Sequence, residues 1–292
     1  MIARIFKNDI YLKDKGCNTE DTPGGDIPKS VNLFVKVTNA CNANCRFCSN
    51  AGNHLPITKF NHGKLWEIVD ELLSKDIRIN RINITGGEPA LVADTVKRIL
   101  IKAEEYPDIH LHLNTNGLLT GSQQLMKEKR WDSISVSLHH YDMGKLREIY
   151  GTDIPEDALK FNGIDMSIVN GSCNLIQGYI DSSDEINKML KFAISIGLQR
   201  LGFVSLMVVN DFCKEKYIDF DDISFQDVPH LYFTRCRNRG ADCKCSNYLY
   251  NHAGKMLEVY MRNYANPEYC ESSLMYDGQY LRQGFYDDNI IY

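Results

Sequence analysis

Strand-like and helix-like segments alternate from residue 31 to about residue 215 of this 292-residue chain. This alternation constrains the fold more than any other feature. Short apolar runs rich in β-branched residues predict six strands, at 32–38, 81–85, 109–114, 133–138, 173–179 and 200–207. Strands joined by crossover helices form a parallel sheet with right-handed connections. The predicted class is therefore α/β.

Two of the intervening helices have recognisable ends. Apolar residues recur at helical spacing after Asn61, which is a suitable N-cap. A helix over 184–197 has the capping-box pair Ser182 and Glu185 at its start. Gly197 suits the C-terminal cap of the same helix.

Three cysteines, Cys41, Cys45 and Cys48, directly follow the first predicted strand. Their spacing brings three thiolates together on one short loop. A cubane [4Fe–4S] cluster normally takes four Cys ligands, and the next cysteine in the sequence is Cys173. One iron would then be open to a small molecule. Half of a tetrahedral zinc site and a group of buried thiols are the alternatives.

A Gly-Gly-Glu-Pro segment, residues 86–89, follows the second predicted strand. Glycines allow backbone carbonyls to approach a ligand closely. Glu88 and Pro89 fix the loop, because proline locks its own φ and restricts the residue before it. Such a segment alone is an ordinary turn, but its combination with the Cys loop indicates a cofactor site.

Together these two motifs resemble the radical S-adenosylmethionine (SAM) superfamily. The resemblance implies a partial (β/α)6 TIM-like barrel, with a flat doubly wound sheet as the alternative. It also implies a [4Fe–4S] cluster whose open iron binds SAM, and reductive cleavage of SAM to a 5′-deoxyadenosyl radical that abstracts a substrate hydrogen. The implied metal ligands are Cys41, Cys45 and Cys48. Phe47 would lie near the SAM adenine, and Gly86, Gly87, Glu88 and Pro89 would hold the amino group.

The third and fourth predicted strands each have one polar and one apolar face. The polar side chains are His110, His112, Asn114, Asn116, Ser135, Ser137 and His139. The apolar face must lie under the helices, so the polar face lines an interior cavity that suits a zwitterionic ligand such as SAM. Exposed strands of an antiparallel sheet are the alternative. By resemblance, Ser135 and Ser137 bind the SAM carboxylate or ribose, and Asn116 belongs to the same C-terminal rim, where such barrels place their active sites.

His140 and Asp142 follow the fourth strand with His139 and could face the substrate. Gly178 lies inside the predicted fifth strand, where a glycine often marks the close approach of a ligand or of another backbone.

A second group of cysteines lies in the C-terminal part of the chain. Two strands, 247–250 and 256–260, predict a β-hairpin with a four-residue turn at 251–254. A Cys pair before a hairpin and a late Cys after it resemble the shortened auxiliary-cluster domains called twitch domains, related to the longer SPASM domain. The resemblance implies one auxiliary [4Fe–4S] cluster, and a zinc site is the alternative. The favoured ligands are Cys236, Cys243, Cys245 and Cys270.

Cys213 is then left over, about six residues after the sixth predicted strand. A thiol on the catalytic rim could donate a hydrogen atom to a substrate radical. A cluster ligand and inert packing are the other interpretations. The expected organisation is an N-terminal extension over 1–30, a radical SAM partial barrel over 31–212 and an auxiliary-cluster domain over 213–292.

Composition limits the remaining classes. The net charge of −5 and the sequence pI of about 5.9 give no electrostatic footprint for nucleic acid. No apolar stretch approaches the ~18 residues of a membrane span, and the N-terminus lacks the apolar run of a signal peptide. Ten cysteines without a secretion signal favour metal or redox chemistry in the reducing cytoplasm.

The sequence predicts a radical SAM enzyme. The leading interpretation is that it modifies a ribosomally made peptide by epimerisation or crosslinking. The alternative is a dehydrogenase, cyclase or epimerase of a small sugar, cyclitol or nucleotide. Either enzyme needs an external electron donor such as flavodoxin or ferredoxin. A non-catalytic iron–sulfur or zinc redox sensor is a third class, against which residues 86–89 argue.

Overall fold

The computed structural model describes residues 2–12, 29–50, 59–236, 244–263, 272–284 and 289–292, without the side chain of Cys236. The strands of these residues are β1 Ile2–Ile5, β2 Asn8–Tyr11, β3 Ser30–Lys36, β4 Arg78–Thr85, β5 His110–Thr115, β6 Ser133–Ser137, β7 Val169–Asn174, β8 Arg200–Val204, β9 Leu231–Cys236, β10 Ser246–His252, β11 Lys255–Arg262, β12 Ser273–Tyr276 and β13 Leu281–Gln283. The α-helices are α1 His62–Ser74, α2 Ala93–Lys102, α3 Thr120–Met126, α4 Met143–Tyr150, α5 Ser183–Ser195 and α6 Asp211–Glu215.

The core of the fold is a parallel sheet of six strands in chain order, β3-β4-β5-β6-β7-β8. Each crossover moves one strand along the sheet in a single direction. A doubly wound sheet would instead reverse its order at a switch point. The mixed α/β class with a mostly parallel sheet is confirmed, and the described sheet is open rather than closed into a barrel.

The strands of the C-terminal part extend this sheet at both of its edges. On one side β11 pairs parallel with β8, and β10 and β9 follow it antiparallel. On the other side β12 pairs parallel with β3, and β13 follows it antiparallel. The expected domain division at 212/213 stays a prediction.

The two faces of the parallel sheet differ as the alternation predicted. The face under the helices is apolar, with almost no exposure at Leu33, Val35, Ile82, Ile84, Leu111, Leu113, Ile134, Val136, Leu201 and Phe203. The opposite face carries the polar residues of β4 to β7, most of which are half-buried. The sheet therefore has a polar concave face.

The predicted fifth strand was misplaced. The structure places it at Val169–Asn174, and Gly178 lies in the exposed turn that follows, with φ +88° and open space around it. The crowded glycine is Gly171, where a Cβ would lie 2.7 Å from Leu201 Cδ1. Apolar residues such as Ile176 suggested a longer strand, but they are buried within the turn.

The hairpin turn also differs from the prediction. His252 pairs directly with Lys255, so the turn has the two residues Ala253 and Gly254 rather than four. Both have positive φ, 51° and 76°, as a type I′ turn requires.

The predicted helix caps are confirmed. Asn61 accepts a hydrogen bond from Lys64 N at 3.1 Å, and Ser182 accepts one from Glu185 N at 3.3 Å. No described helix combines the length and the hydropathy that crossing a membrane would need.

Candidate cluster and cofactor site

The Cys loop follows β3 at the C-terminal edge of the parallel sheet, as expected. Cys41, Cys45 and Cys48 are all half-buried free thiols. Cys48 N donates to Cys45 O at 3.1 Å, and Ala43 N donates to Cys41 Sγ at 3.4 Å. The loop is thus a tight turn with its first sulfur already in a hydrogen bond.

The thiols influence one another electrostatically. Burial, together with the charges of Cys48 and Cys41, raises the pKa of Cys45 to about 12. Burial also raises the pKa of Cys41. Among the described residues, no three His, Cys, Asp or Glu side chains already surround one point as a metal site. Three thiols on one loop are nevertheless the donor chemistry of an iron–sulfur cluster, and a cluster would compensate the thiolate charge that burial disfavours.

Gly86 and Gly87 lie against the backbone that leads into the Cys loop. A Cβ on Gly86 would lie 2.5 Å from Thr38 O, and one on Gly87 would lie 1.9 Å from Ala40 O. Gly87 N donates to Thr38 O, and Glu88 N to Ala40 O, each at 2.8 Å. The sequence suggested that these glycines admit a ligand. The structure shows that they admit the neighbouring loop, which the sequence alone did not indicate.

Glu88 is completely buried beneath this junction. Its carboxylate accepts hydrogen bonds from Thr115 Oγ1 at 2.7 Å, Asn116 N at 2.8 Å, Ala90 N at 3.1 Å and Ser122 Oγ at 3.1 Å. Burial raises the pKa of Glu88, and these four bonds oppose that shift. Glu88 therefore joins the loops that follow β4 and β5, while Pro89 begins a short 3-10 helix behind it.

Asn116 connects the loop after β5 to the Cys loop. Its Nδ2 donates to Asn42 Oδ1 at 2.8 Å and lies 3.8 Å from Cys41 Sγ. Sequence reasoning placed Asn116 at the cofactor rim, and the structure adds this direct contact with the loop of the first cysteine.

Helix α4 ends against the middle of the Cys loop. Asn44 N donates to Tyr150 O at 2.7 Å. Gly151 caps the helix with φ +59°, and a Cβ there would lie 2.9 Å from Asn44 O. The last carbonyls of a helix have no partner within the helix. Here the Cys loop donates a hydrogen bond to one of them, the carbonyl of Tyr150.

Helix α6 holds the far side of the same loop. Asn210 Nδ2 donates to Arg46 O at 2.9 Å, and the Arg46 guanidinium lies 4.4 Å from the centre of the Phe212 ring. Asn210 also caps the helix by accepting from Cys213 N. Cys213 itself is completely buried, and its role as a hydrogen donor stays a prediction.

Phe47 packs edge-on against His139, with 4.9 Å between ring centroids. His139 Nδ1 accepts from Asn174 N at 3.2 Å, and burial lowers the His139 pKa to about 3. His140 is buried too, and its Nε2 has no hydrogen-bond partner in the described part of the chain. The rim after β6 thus contains two buried imidazoles, one in contact with the Cys loop.

Ser135 and Ser137 lie half-buried on the concave face of β6. Ser135 is paired in register with Asn114 on one side and Asn170 on the other. Tyr150 OH donates to Ser137 O at 2.6 Å. Tyr150 thus links the backbone of Ser137 to the Cys loop, and the predicted contact of both serines with SAM stays a prediction.

Deeper in the concave face, Ser133 joins two histidines. Its Oγ lies 2.7 Å from His110 Nε2 and 2.6 Å from His112 Nδ1. Burial, followed by the positive charge of Arg81, lowers the pKa of His112 to about 3. The neighbouring Asn83 is buried, and its Nδ2 has no hydrogen-bond partner among the described residues.

Two cations share this face. Lys36 and Arg81 lie on β3 and β4, and in the described ranges neither forms an ion pair with a carboxylate. Burial lowers the pKa of Lys36, against the opposing effects of Asp277 and Cys48. Lys36 and Arg81 thus add positive charge to this face, and among the described residues Asp277 acts on Lys36 only from beyond ion-pair distance.

A small cavity of about 40 Å³ opens beside the Cys loop. Its walls include Arg46, Phe47, Ile149, Ile176, Tyr179 and Phe212. Tyr179 OH donates to Glu148 at 2.7 Å at its margin.

Of the four predicted auxiliary ligands, Cys243 and Cys270 lie outside the described residues. The backbone of Cys236 pairs with Ser246, next to Cys245. Cys245 is buried, and its Sγ accepts from Asn263 N at 3.2 Å. The structure thus brings the backbones of two of the four residues together at one end of the hairpin.

The open, mostly parallel α/β sheet, with the Cys loop and residues 86–89 at its C-terminal edge, has the architecture of a partial TIM barrel. Residues 35–162 match the family model described as the Radical SAM superfamily. The matched segment contains the Cys loop and residues 86–89 and covers less than half of the 292-residue chain.

Two curated relatives are named probable GTP 3′,8-cyclases. The one from Sulfolobus acidocaldarius is 26% identical over 277 residues, which cover 89% of this chain and 82% of the relative. The one from Sulfurisphaera tokodaii is 25% identical over 246 residues, covering 82% and 74%.

Two solved structures share the fold. SuiB from Streptococcus suis, bound to S-adenosylmethionine, matches with a TM-score of 0.50 and 20% identity, over 64% of this chain and 43% of SuiB. A radical SAM methyltransferase from Sphaerobacter thermophilus matches with a TM-score of 0.50 and 15% identity, over 66% of this chain and 60% of the methyltransferase. This chain therefore matches less than two thirds of the length of either protein.

Proposed function

We propose that this chain is a radical SAM enzyme that acts on a small anionic substrate, a nucleotide or a similarly phosphorylated molecule. In this proposal Cys41, Cys45 and Cys48 hold a [4Fe–4S] cluster. When bound, the cluster supplies the electron that cleaves SAM to a 5′-deoxyadenosyl radical. An external donor such as flavodoxin or ferredoxin would provide that electron.

The protein's own part in this chemistry is to position groups. The contacts of Gly87, Asn116, Tyr150 and Asn210 hold the Cys loop from four different elements. A loop held in this way keeps its thiols in place without help from a ligand. SAM would lie over the loop with its adenine beside Phe47 and with Ser135 and Ser137 within reach.

One observation carries the choice of substrate. Lys36 and Arg81 point positive charge into the concave face, next to the unpaired amide of Asn83. Lys36 and Arg81 are half-buried and form no ion pair among the described residues, and phosphate or carboxylate groups of a substrate would pair with them through charge-assisted hydrogen bonds. Two curated relatives are named probable GTP 3′,8-cyclases, which supports the same substrate class.

The sequence predicts a peptide substrate in the first place and a small sugar, cyclitol or nucleotide as the alternative. The present proposal prefers the alternative. A precursor peptide is bound in one SuiB structure with a TM-score of 0.50, but at 20% identity this likeness concerns the fold alone. No contact in the described residues favours a peptide over a small anion.

Anaerobic assays of 5′-deoxyadenosine formation test the proposal. The reconstituted protein, a reductant and SAM are incubated alone, with GTP, with other nucleotides, with guanosine and with phosphorylated sugars. We expect a phosphorylated compound to stimulate SAM cleavage and its unphosphorylated form to be a weaker stimulant. Stimulation by neutral compounds alone, or by none of them, contradicts the proposed substrate class.

Arg81→Gln provides the matched structural test. Loss of one charged hydrogen bond to a substrate costs about 1.5–3 kcal/mol, so we expect KM to rise about tenfold or more. Arg78→Gln is the control, because Arg78 begins the same strand but is exposed. Equal effects of the two changes would remove Arg81 from the substrate site.

The auxiliary [4Fe–4S] cluster on Cys236, Cys243, Cys245 and Cys270 remains part of the proposal, as does cytoplasmic localisation. The nearness of the Cys236 and Cys245 backbones supports the former. A zinc site with the same ligands is the alternative, and metal analysis distinguishes the two.

A further inference from the structure

We infer that Asn116 sets the reduction potential of the cluster by donating a hydrogen bond to the sulfur of Cys41. This inference rests on the proposed function, because it presupposes the cluster on the Cys loop. Asn116 contacts the proposed cluster ligand Cys41 but is not itself a ligand of the cluster.

The hydrogen-bond network fixes the orientation of the Asn116 amide. Its Oδ1 accepts from Leu118 N at 3.0 Å, so Nδ2 must face the Cys loop. One of the two Nδ2 hydrogens goes to Asn42 Oδ1 at 2.8 Å. The other is available for Cys41 Sγ, which lies 3.8 Å from Nδ2.

The surroundings prevent the amide from swinging away. Asn116 is only 8% exposed, and its backbone N donates to the buried carboxylate of Glu88 at 2.8 Å. The donor is therefore present before any cluster binds.

Hydrogen bonds to ligating sulfurs are among the factors that set iron–sulfur potentials. The reduced cluster carries one more negative charge than the oxidised cluster, so an N–H dipole aimed at its sulfur stabilises the reduced form more. The effect is strongest where water is excluded. Removing this donor should make the potential more negative and the cluster harder to reduce.

The experiment is an anaerobic redox titration, followed by electron paramagnetic resonance, of the reconstituted full chain. The signal of the Cys-loop cluster is identified by its loss when Cys41, Cys45 and Cys48 are all changed to Ala. The variants are Asn116→Leu, which removes the donor, and Asn116→Asp, which keeps the acceptor for Leu118 N but replaces the donor with a carboxylate.

Thr115→Val is the matched control. Thr115 also bonds Glu88 and lies next to Asn116, but among the described residues its Oγ1 bonds only Glu88 and Gly117 N and does not reach the Cys loop. We expect a lower melting temperature with an unchanged potential for the control. We expect a more negative potential for both Asn116 variants, and a larger shift for Asn116→Asp because its charge repels the reduced cluster.

Three results would count against the inference or its basis. A wild-type protein without the Cys-loop cluster overturns the proposed function itself. A wild-type cluster whose potential is the same in both Asn116 variants overturns only the inference. An equal shift in Thr115→Val and Asn116→Leu also overturns it, because the cause would then be loop packing. If Asn116→Leu loads no iron, the potential of Asn116→Asp decides.

Discussion

Gly87 lies so close to Ala40 that a Cβ on the glycine would be 1.9 Å from the carbonyl oxygen of the alanine. Backbone atoms on both sides make this contact, so no side-chain movement can relieve it. The loop after β4 and the start of the Cys loop therefore fit together only if residue 87 is glycine.

Gly87→Ala should force the two loops apart and displace the Cys loop. We expect the reconstituted variant to lose most of the iron bound by Cys41, Cys45 and Cys48 while it remains folded. Iron analysis together with circular dichroism checks this.

Gly121→Ala is the control for that change. Gly121 lies in α3, where a Cβ would make only ordinary contacts of 3.7 Å or more. Alanine should stabilise this helix by roughly 0.5–1 kcal/mol and leave the iron content unchanged. Normal iron loading of Gly87→Ala would show that the loop contact is dispensable.

Glu88→Ala should be strongly destabilising, because it leaves four buried donors without their acceptor. Unsatisfied buried groups cost about 1–3 kcal/mol each, and local rearrangement will recover part of that. We expect a loss of at least about 3 kcal/mol in the free energy of unfolding, measured by urea denaturation. Glu128→Ala, which removes only a surface ion pair with Lys97, should change it by less than about 1 kcal/mol.

Iron content tests the two predicted clusters together. The reconstituted chain should bind about eight irons, and the triple Cys41, Cys45 and Cys48 to Ala variant about four. That variant should make no 5′-deoxyadenosine. Zinc without iron in the triple variant would identify the C-terminal cysteines as a zinc site.

The stability of the protein should fall as the pH decreases below about 6.5, because His112 and His139 are neutral in the folded state. Burial lowers both pKa values to about 3, whereas the unfolded imidazole titrates near 6.5. Between these values only the unfolded chain binds the proton, so folding is penalised. The slope should be at most about 1.4 kcal/mol per pH unit for each imidazole.

His112→Asn should make this slope shallower between pH 7.5 and pH 5.5, measured by urea denaturation at each pH. His230→Asn is the control, since His230 is exposed. A slope that stays the same in His112→Asn would mean that this imidazole is protonated in the folded protein.

The features that the sequence predicts best are those determined by a few neighbouring residues. The caps Asn61 and Ser182 and the Cys loop after β3 each depend on a few neighbouring residues. The end of β7 was missed, because the apolar residues around Ile176 have the same composition whether they form a strand or a buried turn. The turn at Ala253 has two residues where the sequence predicts four, since a positive φ at alanine has no sequence signal.

The candidate site was predictable in its residues and less so in their contacts. The glycines of residues 86–89 are expected to let the backbone approach a ligand, which stays a prediction, and the structure shows that Gly87 also approaches Ala40. A glycine indicates close approach without showing what approaches. The contact between Asn116 and Asn42 joins residues 74 positions apart. Nothing in the periodicity of either segment specifies such a pair.

The pairing of β12 with β3 has a consequence for synthesis. Strand β3 emerges from the ribosome first, and its neighbour Ser273–Tyr276 is made some 240 residues later. One side of β3 must remain without its strand partner until then, since non-local pairings form only after the intervening chain exists. We therefore expect complete assembly of the sheet beside the Cys loop, and stable iron loading with it, to follow translation of residue 276.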